Sequence, residues 1–318
     1  NKYCKQIFYY TRQSGFRYQL SVKPYIVITR KNKELLQNLS SIKAPILFEG
    51  LHTCYYLGSQ ELKNHLLLVR THNIEHDYYF KLFQAERNLL RKIFFRIETC
   101  KLKQYEKILN HASHLLSISP NDNLYFDRKY GCSHFVPAFH PFNTIKSKPG
   151  KGDYILVHGN LSVPENTQAV HFLVKKVFPR IQQKVIVAGK SPSEKLIVEL
   201  KRYSNITLIA NPEGTQMENL IENSQICLLT TFQDTGLKLK LLASLFSGRF
   251  CIANTLMVHK TGLEHLCHLA DTPEEMIQAI RQLFEKEFTP EEIEKRRTIL
   301  EDNFSNYRNA TKILQILK

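Results

Sequence analysis

Two short stretches carry side chains suited to polar chemistry in the first half of the chain. After the apolar run 66–69 comes Arg70-Thr71-His72-Asn73-Ile74-Glu75-His76. The pattern His72-x-x-Glu75-His76 formally matches the inverzincin metal motif, which needs both histidines on one helix face and a distant third ligand. Read instead as the turn after a strand, the same residues leave two options for His72. It caps the turn, or its neutral imidazole contacts a substrate hydroxyl, with Arg70 and Asn73 beside it. The second stretch is Glu49-Gly50-Leu51-His52, after the run 44–48. Gly50 permits a sharp turn. Glu49 is a general base, a hydroxyl-binding group or a first-turn helix carboxylate, and His52 follows it closely.

The second half offers anion chemistry. A β-like run at 154–158 passes through Gly159-Asn160 into a helical pattern, a strand–loop–helix unit whose backbone amides can meet a pyrophosphate. One glycine there is no G-x-G-x-x-G fingerprint, which disfavours a dinucleotide cofactor. The next run ends at Gly189-Lys190, where Lys190 can pair with phosphate. Thr235-Gly236-Leu237-Lys238-Leu239-Lys240 then joins a strand to a helix. Two lysines in a first helical turn oppose the helix dipole unless an anion is shared between them and the amides.

The elements that would position these residues alternate along the whole chain of 318 residues, 43% hydrophobic and 23% charged. Strand-like runs at 7–10, 25–29, 44–48, 66–69, 115–119 and 135–139 are apolar on both faces, as a buried parallel sheet requires. An amphipathic pattern from Tyr78 to Asn110 predicts one long helix with Arg87, Arg91, Lys92, Arg96, Lys101 and Lys103 on its other face. Lys146–Asp153, K-S-K-P-G-K-G-D, reads as a linker. Beyond it, strands are expected at 154–158, 184–188, 206–210, 226–230 and 250–253. Helical patterns stand at 165–178, 193–203, 215–223, 237–246, 261–269, 273–287, 290–303 and 307–317, with Gly248 as a C′ cap. The expected fold class is α/β, with two Rossmann-like doubly wound domains facing a cleft that collects their carboxyl strand ends. The expected domains are 1–145, a linker 146–153, 154–300, and a helix 301–318 that packs back on the first domain.

Formal charge is +15. Residues 1–150 hold 23 Lys and Arg against 10 Asp and Glu, and 151–318 hold 21 against 19. The basic excess predicts an anionic partner for the first half. No zinc-finger, RRM or helix-turn-helix signature supports nucleic acid. Seven scattered cysteines without a C-x-x-C pair predict no disulfide framework or structural zinc, and fit a reducing compartment. No run approaches the roughly 18 apolar residues needed to span a bilayer.

The chain resembles the GT-B-fold glycosyltransferases, in particular the bacterial members of the retaining sugar-nucleotide transferases called family 4. Val69-Arg70-Thr71-His72-Asn73 resembles the family's strand-end histidine beside the donor sugar. Residues 102–119 with Asp122 resemble its "helix with E, then I-S-x-x-D" passage. Val157-His158-Gly159-Asn160 resembles the opening of its donor domain, and residues 235–248 resemble "T-G-x-x-x-K-x-x-E-A-x-x-x-G". The motif glutamate falls on Ala243, and the first strand with its acceptor loop is not evident before Ile7, so the N-terminal domain reads as short.

This resemblance implies a retaining, metal-independent transferase moving a hexose from a nucleotide-diphosphate sugar to a glycan or lipid-linked acceptor hydroxyl, without cofactor. It implies donor contacts at Gly159, Asn160, Lys190, Thr235, Gly236, Lys238 and Lys240, sugar positioning by His72, and acceptor or sugar contacts at Glu49, His52, Arg70 and Asn73. The expected setting is polysaccharide biosynthesis in the cytoplasm, with the basic helix 87–103 on the acidic inner face of the plasma membrane. The alternative is a catalytically impaired sugar-nucleotide binding protein, resting on Ala243.

Overall fold

The computed structural model describes residues 4–86, 88–232 and 239–318. They form two compact units, one reaching Pro137 and including Thr311–Lys318, the other Ala138–Ala310.

The first unit is built on four parallel strands, β1 (Ile46–Glu49), β2 (Leu67–Thr71), β3 (His114–Ser117) and β4 (Ser133–Phe135), in the order β1-β2-β3-β4. Its helices are α1 (Tyr25–Ile28), α2 (Lys33–Ser41), α3 (Glu75–Ala85), α4 (Leu89–Tyr105) and α5 (Pro120–Tyr130). Two expected strands are absent. Residues 7–10 adopt no regular element. The run 25–29 is helical, because Glu98 Oε2 accepts from Tyr25 N at 2.6 Å and so caps a helix start. The long helix expected from 78 is a hairpin, because Asn88 restarts α4 by accepting from Arg91 N at 3.1 Å. Val69, Leu102 and Leu115 meet in the core with almost no exposure.

The second unit carries β5 (Ile155–Asn160), β6 (Val185–Lys190), β7 (Ile206–Ala210), β8 (Ile226–Leu229), β9 (Phe250–Ala253) and β10 (His268–Leu269). Every pairing is parallel, in the order β10-β9-β8-β5-β6-β7. Read from β7, this is the doubly wound 3-2-1-4-5-6 order, and its reversal between β5 and β8 is a ligand-binding switch point. The fold class is thus the expected α/β with parallel sheets; the reversal lies in the second sheet, while the first runs sequentially.

The helices of this unit are α6 (Pro164–Lys176), α7 (Glu194–Leu200), α8 (Gly214–Asn223), α9 (Leu239–Ser247), α10 (Thr255–Val258), α11 (Pro273–Phe284) and α12 (Pro290–Phe304). The last helix, α13 (Asn306–Ile316), ends in the first unit. Its Ile313 and Ile316, with Leu317, pack against Leu68, Leu116 and Val136. The helix expected over 261–269 is instead a turn at Gly262, φ 73°, followed by β10. Gly248 is no left-handed cap. A Cβ there would stand 2.9 Å from Cys227 Sγ, so the residue is set by close packing of α9 on the sheet.

Arg296 holds the end of α9 in place. Buried on α12, it donates through Nη1 to Ser147 Oγ (3.1 Å), Leu245 O (3.3 Å) and Gly248 O (2.6 Å), and through Nη2 to Arg249 O. Arg296→Met strands those carbonyls and is expected to cost about 1–3 kcal/mol. Arg296→Lys does not rescue it, because an ammonium lacks the planar fork. Urea unfolding measures this; an unchanged midpoint in the Met variant would refute the role.

Candidate functional site

Two groups of polar residues sit at carboxyl strand ends, one in each unit. In the first unit Glu49 ends β1, and Gly50 turns the chain at φ 89° while its N–H donates to Arg70 O (2.8 Å). The His52 imidazole folds over this turn. The positive φ favours glycine at position 50, and a Cβ there, 2.5 Å from His52 Cε1, would displace the imidazole. From β2, Arg70 is buried and donates through Nη2 to Pro137 O (2.8 Å), with Nη1 3.7 Å from Glu49 Oε1. His72 Nε2 lies 2.8 Å from Glu49 Oε2, and the His72 and His52 rings are 6.2 Å apart. Glu49, His52, Arg70 and His72 are therefore one cluster, and Asn73 follows in the half-buried turn before α3.

Burial brings the His52 imidazole down to about 4, and Arg30, His72 and Arg12 add to that against Glu49. Burial also lowers Arg70, with Glu49 opposing. Burial raises the Glu75 carboxyl to about 6, with His72 opposing. A neutral His52 beside the Arg70–Glu49–His72 array can accept or donate hydrogen bonds to sugar hydroxyls. The inverzincin geometry is not formed. His72 precedes α3, whereas His76 lies on α3 with Nδ1 3.0 Å from Glu106 Oε2. Among the described residues, no group of three or more His, Cys, Asp or Glu is placed to hold a metal ion.

In the second unit Gly159 and Asn160 pair in register with Gly189 and Lys190. A Cβ on residue 189 would stand 1.9 Å from Gly159 O, so glycine is required for these strand ends to meet. Asn160 Oδ1 accepts from Ser162 N (3.0 Å) and Ser162 Oγ (2.8 Å), which shapes the turn into α6. Asn166 Nδ2 donates to Asn160 O (2.9 Å), and Lys240 Nζ donates to Asn166 Oδ1 (2.9 Å). Across β8, the Thr231 hydroxyl donates to Glu165, and Asn254 brackets the Thr231 backbone at 3.1 and 2.7 Å.

Beneath the turn, His158 Nε2 lies 2.9 Å from Ser244 Oγ. Burial, reinforced by Lys240, lowers the His158 imidazole to about 3. Gly159, Asn160 and Lys240 thus gather at the switch point, with Lys190 exposed on the adjoining strand end. Thr235, Gly236 and Lys238 lie outside the described residues. Ala243 is buried on α9, in a cluster with Tyr154, Leu156 and Cys227.

Sequence reasoning did not assign roles to Asn166, Ser244 and Asn254 here, nor to Arg12 and Arg30 in the first unit. Only Asn166 carried a readable signal, two residues into a helix that starts at Pro164.

Residues 152–286 match the family model "Glycosyl transferases group 1". The match covers the six-stranded sheet and the switch point. Along 277 residues the chain is 26% identical to the "Uncharacterized 44.6 kDa protein in cps region" of Klebsiella pneumoniae, covering 82% of this chain and 71% of that protein. Among solved structures, TarM of S. aureus, crystallised with Fondaparinux, alpha-GlcNAc-glycerol and UDP, aligns with TM-score 0.65 at 14% identity. OtsA aligns with TM-score 0.61 at 12%, and the trehalose 6-phosphate synthase of Burkholderia multivorans with TM-score 0.61 at 11%. Each alignment covers 92% of this chain; it spans 58% of TarM, 77% of OtsA and 74% of the Burkholderia enzyme. It spans 60% of the aligned chain of the GtfA/B complex, at TM-score 0.59 and 12% identity. At these identities the likeness to the solved structures is one of fold.

The lowered imidazoles of His52 and His158 contribute to the pH dependence of stability. In the folded protein His52 and His158 stay neutral where the unfolded chain, near 6.5, takes up protons. Their contribution is present above about pH 6.5 and is lost as pH falls toward 4 for His52 and 3 for His158. Stability measured between pH 7 and 4 should therefore decline, and His158→Gln should flatten the slope. An unaltered slope in that variant would contradict a neutral buried His158.

Proposed function

We propose that the chain is a transferase of the family 4 type, moving a hexosyl group from a nucleotide-diphosphate sugar to a saccharide hydroxyl, with retention and without a metal. One observation carries this reading. Lys240, Asn166 and Asn160 converge at the switch point of a 3-2-1-4-5-6 sheet, inside the region that matches Glycosyl transferases group 1. A diphosphate needs cations and hydrogen-bond donors there, which Lys240 and Lys190 offer, with Lys238 assigned from the sequence pattern.

The chemistry then runs as a front-side exchange. The bond from the anomeric carbon to the phosphate oxygen breaks as the acceptor oxygen attacks the same face. The acceptor proton passes to the leaving phosphate. Positive charge on that phosphate lowers the barrier, and no pair of catalytic carboxylates is required. His72 is assigned to positioning the sugar, and Glu49, His52, Arg70 and Asn73 to binding sugar or acceptor hydroxyls. The K. pneumoniae relative's name points to a bacterial polysaccharide setting.

The acceptor is placed at an acidic membrane surface, on the cytoplasmic side. The support is α4, whose Leu89, Leu90, Ile93 and Ile97 are exposed alongside Arg91 and Arg96, with Lys92 half-buried between them. Among the described residues no helix is long and apolar enough to cross a membrane. Vesicles containing phosphatidylglycerol should sediment the protein and neutral phosphatidylcholine vesicles should not; equal recovery would remove this placement.

A thermal-shift panel of UDP, GDP, ADP and dTDP tests the donor site. A matching nucleotide at a hundredfold over its Kd stabilises by about 2.7 kcal/mol. Lys240→Ala should weaken it at least tenfold, the loss of one charge-assisted hydrogen bond of about 1.5–3 kcal/mol. With the corresponding sugar nucleotide, His72→Ala should lower turnover about 10- to 100-fold. A panel in which no nucleotide stabilises the protein would refute the reading.

A further inference from the structure

The end of α1 brings two arginines to the first-unit cluster. Arg12 Nε donates to Thr29 Oγ1 at 3.1 Å, and Gln13 N donates to Thr29 O at 2.9 Å, which binds the segment before α1 to its last turn. Arg30, the next residue, donates through Nη1 to Ile26 O. α1 packs on the 3-10 turn Leu51–Tyr56, which carries His52. Arg12, Arg30, Arg70, His52 and His72 therefore sit at one end of the sheet.

The nearby carboxylates do not balance them. Glu49 is already engaged by Arg70 and His72. Glu98 is engaged by Tyr25 N and by Lys101 at 3.0 Å. Glu75, its carboxyl raised by burial to about 6, faces His72. Like charges held together at a half-exposed surface cost free energy, which a bound anion relieves.

We propose that Arg12, Arg30 and His52 form a subsite for an oxyanion, a phosphate or carboxylate, carried by the acceptor saccharide. This rests on the transferase reading for the word acceptor, but the anion site itself does not. Arg30 and Arg12 supply guanidinium forks suited to a planar carboxylate or a phosphate face. His52 senses the occupant. Facing it are Arg30, Arg12 and His72 on the positive side and Glu49 on the negative, so an added anion raises its affinity for a proton. Selection of an acidic over a neutral sugar follows, because a neutral one leaves the guanidinium groups unpaired.

The test uses the whole chain with its histidine rings labelled with nitrogen-15, and inorganic phosphate, glucuronate and glucose as probes. His52 signals are assigned with His52→Gln. Phosphate or glucuronate should move the His52 titration upward by about one pH unit or more, and glucose should not. Arg12→Gln with Arg30→Gln should weaken the effect at least tenfold while the nucleoside diphosphate thermal shift persists. Glucose acting as strongly as the two anions, no movement with either anion, or the same movement in the double variant would overturn the subsite. A nucleotide shift without an anion effect removes the subsite alone. An anion effect without any nucleotide shift leaves an anion site and removes the transferase reading.

Discussion

The hydrogen-bond chain Lys240–Asn166–Asn160 holds the rest of the second unit's site together. It joins the amino end of α9, the first turn of α6 and the carboxyl end of β5. The close contact of Gly159 and Gly189 makes room for that turn, since any side chain at 189 would collide with backbone. Below it, His158 and Ser244 complete a buried polar layer whose imidazole stays neutral. Lys240 Nζ reaches this layer through the Asn166 amide, a partner that a phosphate oxygen can replace with a charge-assisted hydrogen bond. The parallel sheet order supplies the place, because strands diverge to β6 and β8 from this edge of β5.

The first unit obeys a different constraint. Its cluster is built on a glycine turn covered by an imidazole and on a buried arginine tied to the carbonyl of Pro137. Its charges come from four chain segments: the stretch before α1, the end of α1, the end of β1 and the end of β2. That assembly gathers cationic side chains from residues far apart in sequence, whereas the second unit's site is drawn from adjacent strand–helix connections.

This difference explains what was legible in the sequence. Strand–helix alternation placed β5 to β9 to within a few residues, and Gly159, Asn160, Lys190 and Lys240 were read from their positions after strands. His72, Glu49 and Arg70 were likewise placed at strand ends, and the structure joins them. Residues 25–29 were unreadable as a helix, since the cap comes from Glu98, seventy-three positions away. The hairpin at α3 and α4 had a local signal, Asn88, overridden by a continuous apolar period. Arg12 and Arg30 gave no signal, because their proximity to His52 depends on α1 being helical. Asn254, which fixes the backbone after β8, is equally a tertiary contact.

The most direct measurement is a crystal structure with the nucleoside diphosphate that stabilises the protein. The expected result is the diphosphate beside the turn at 159–162, with Lys240 Nζ turned from Asn166 to a phosphate oxygen. A nucleotide bound elsewhere, with the Lys240–Asn166 bond intact, would contradict it.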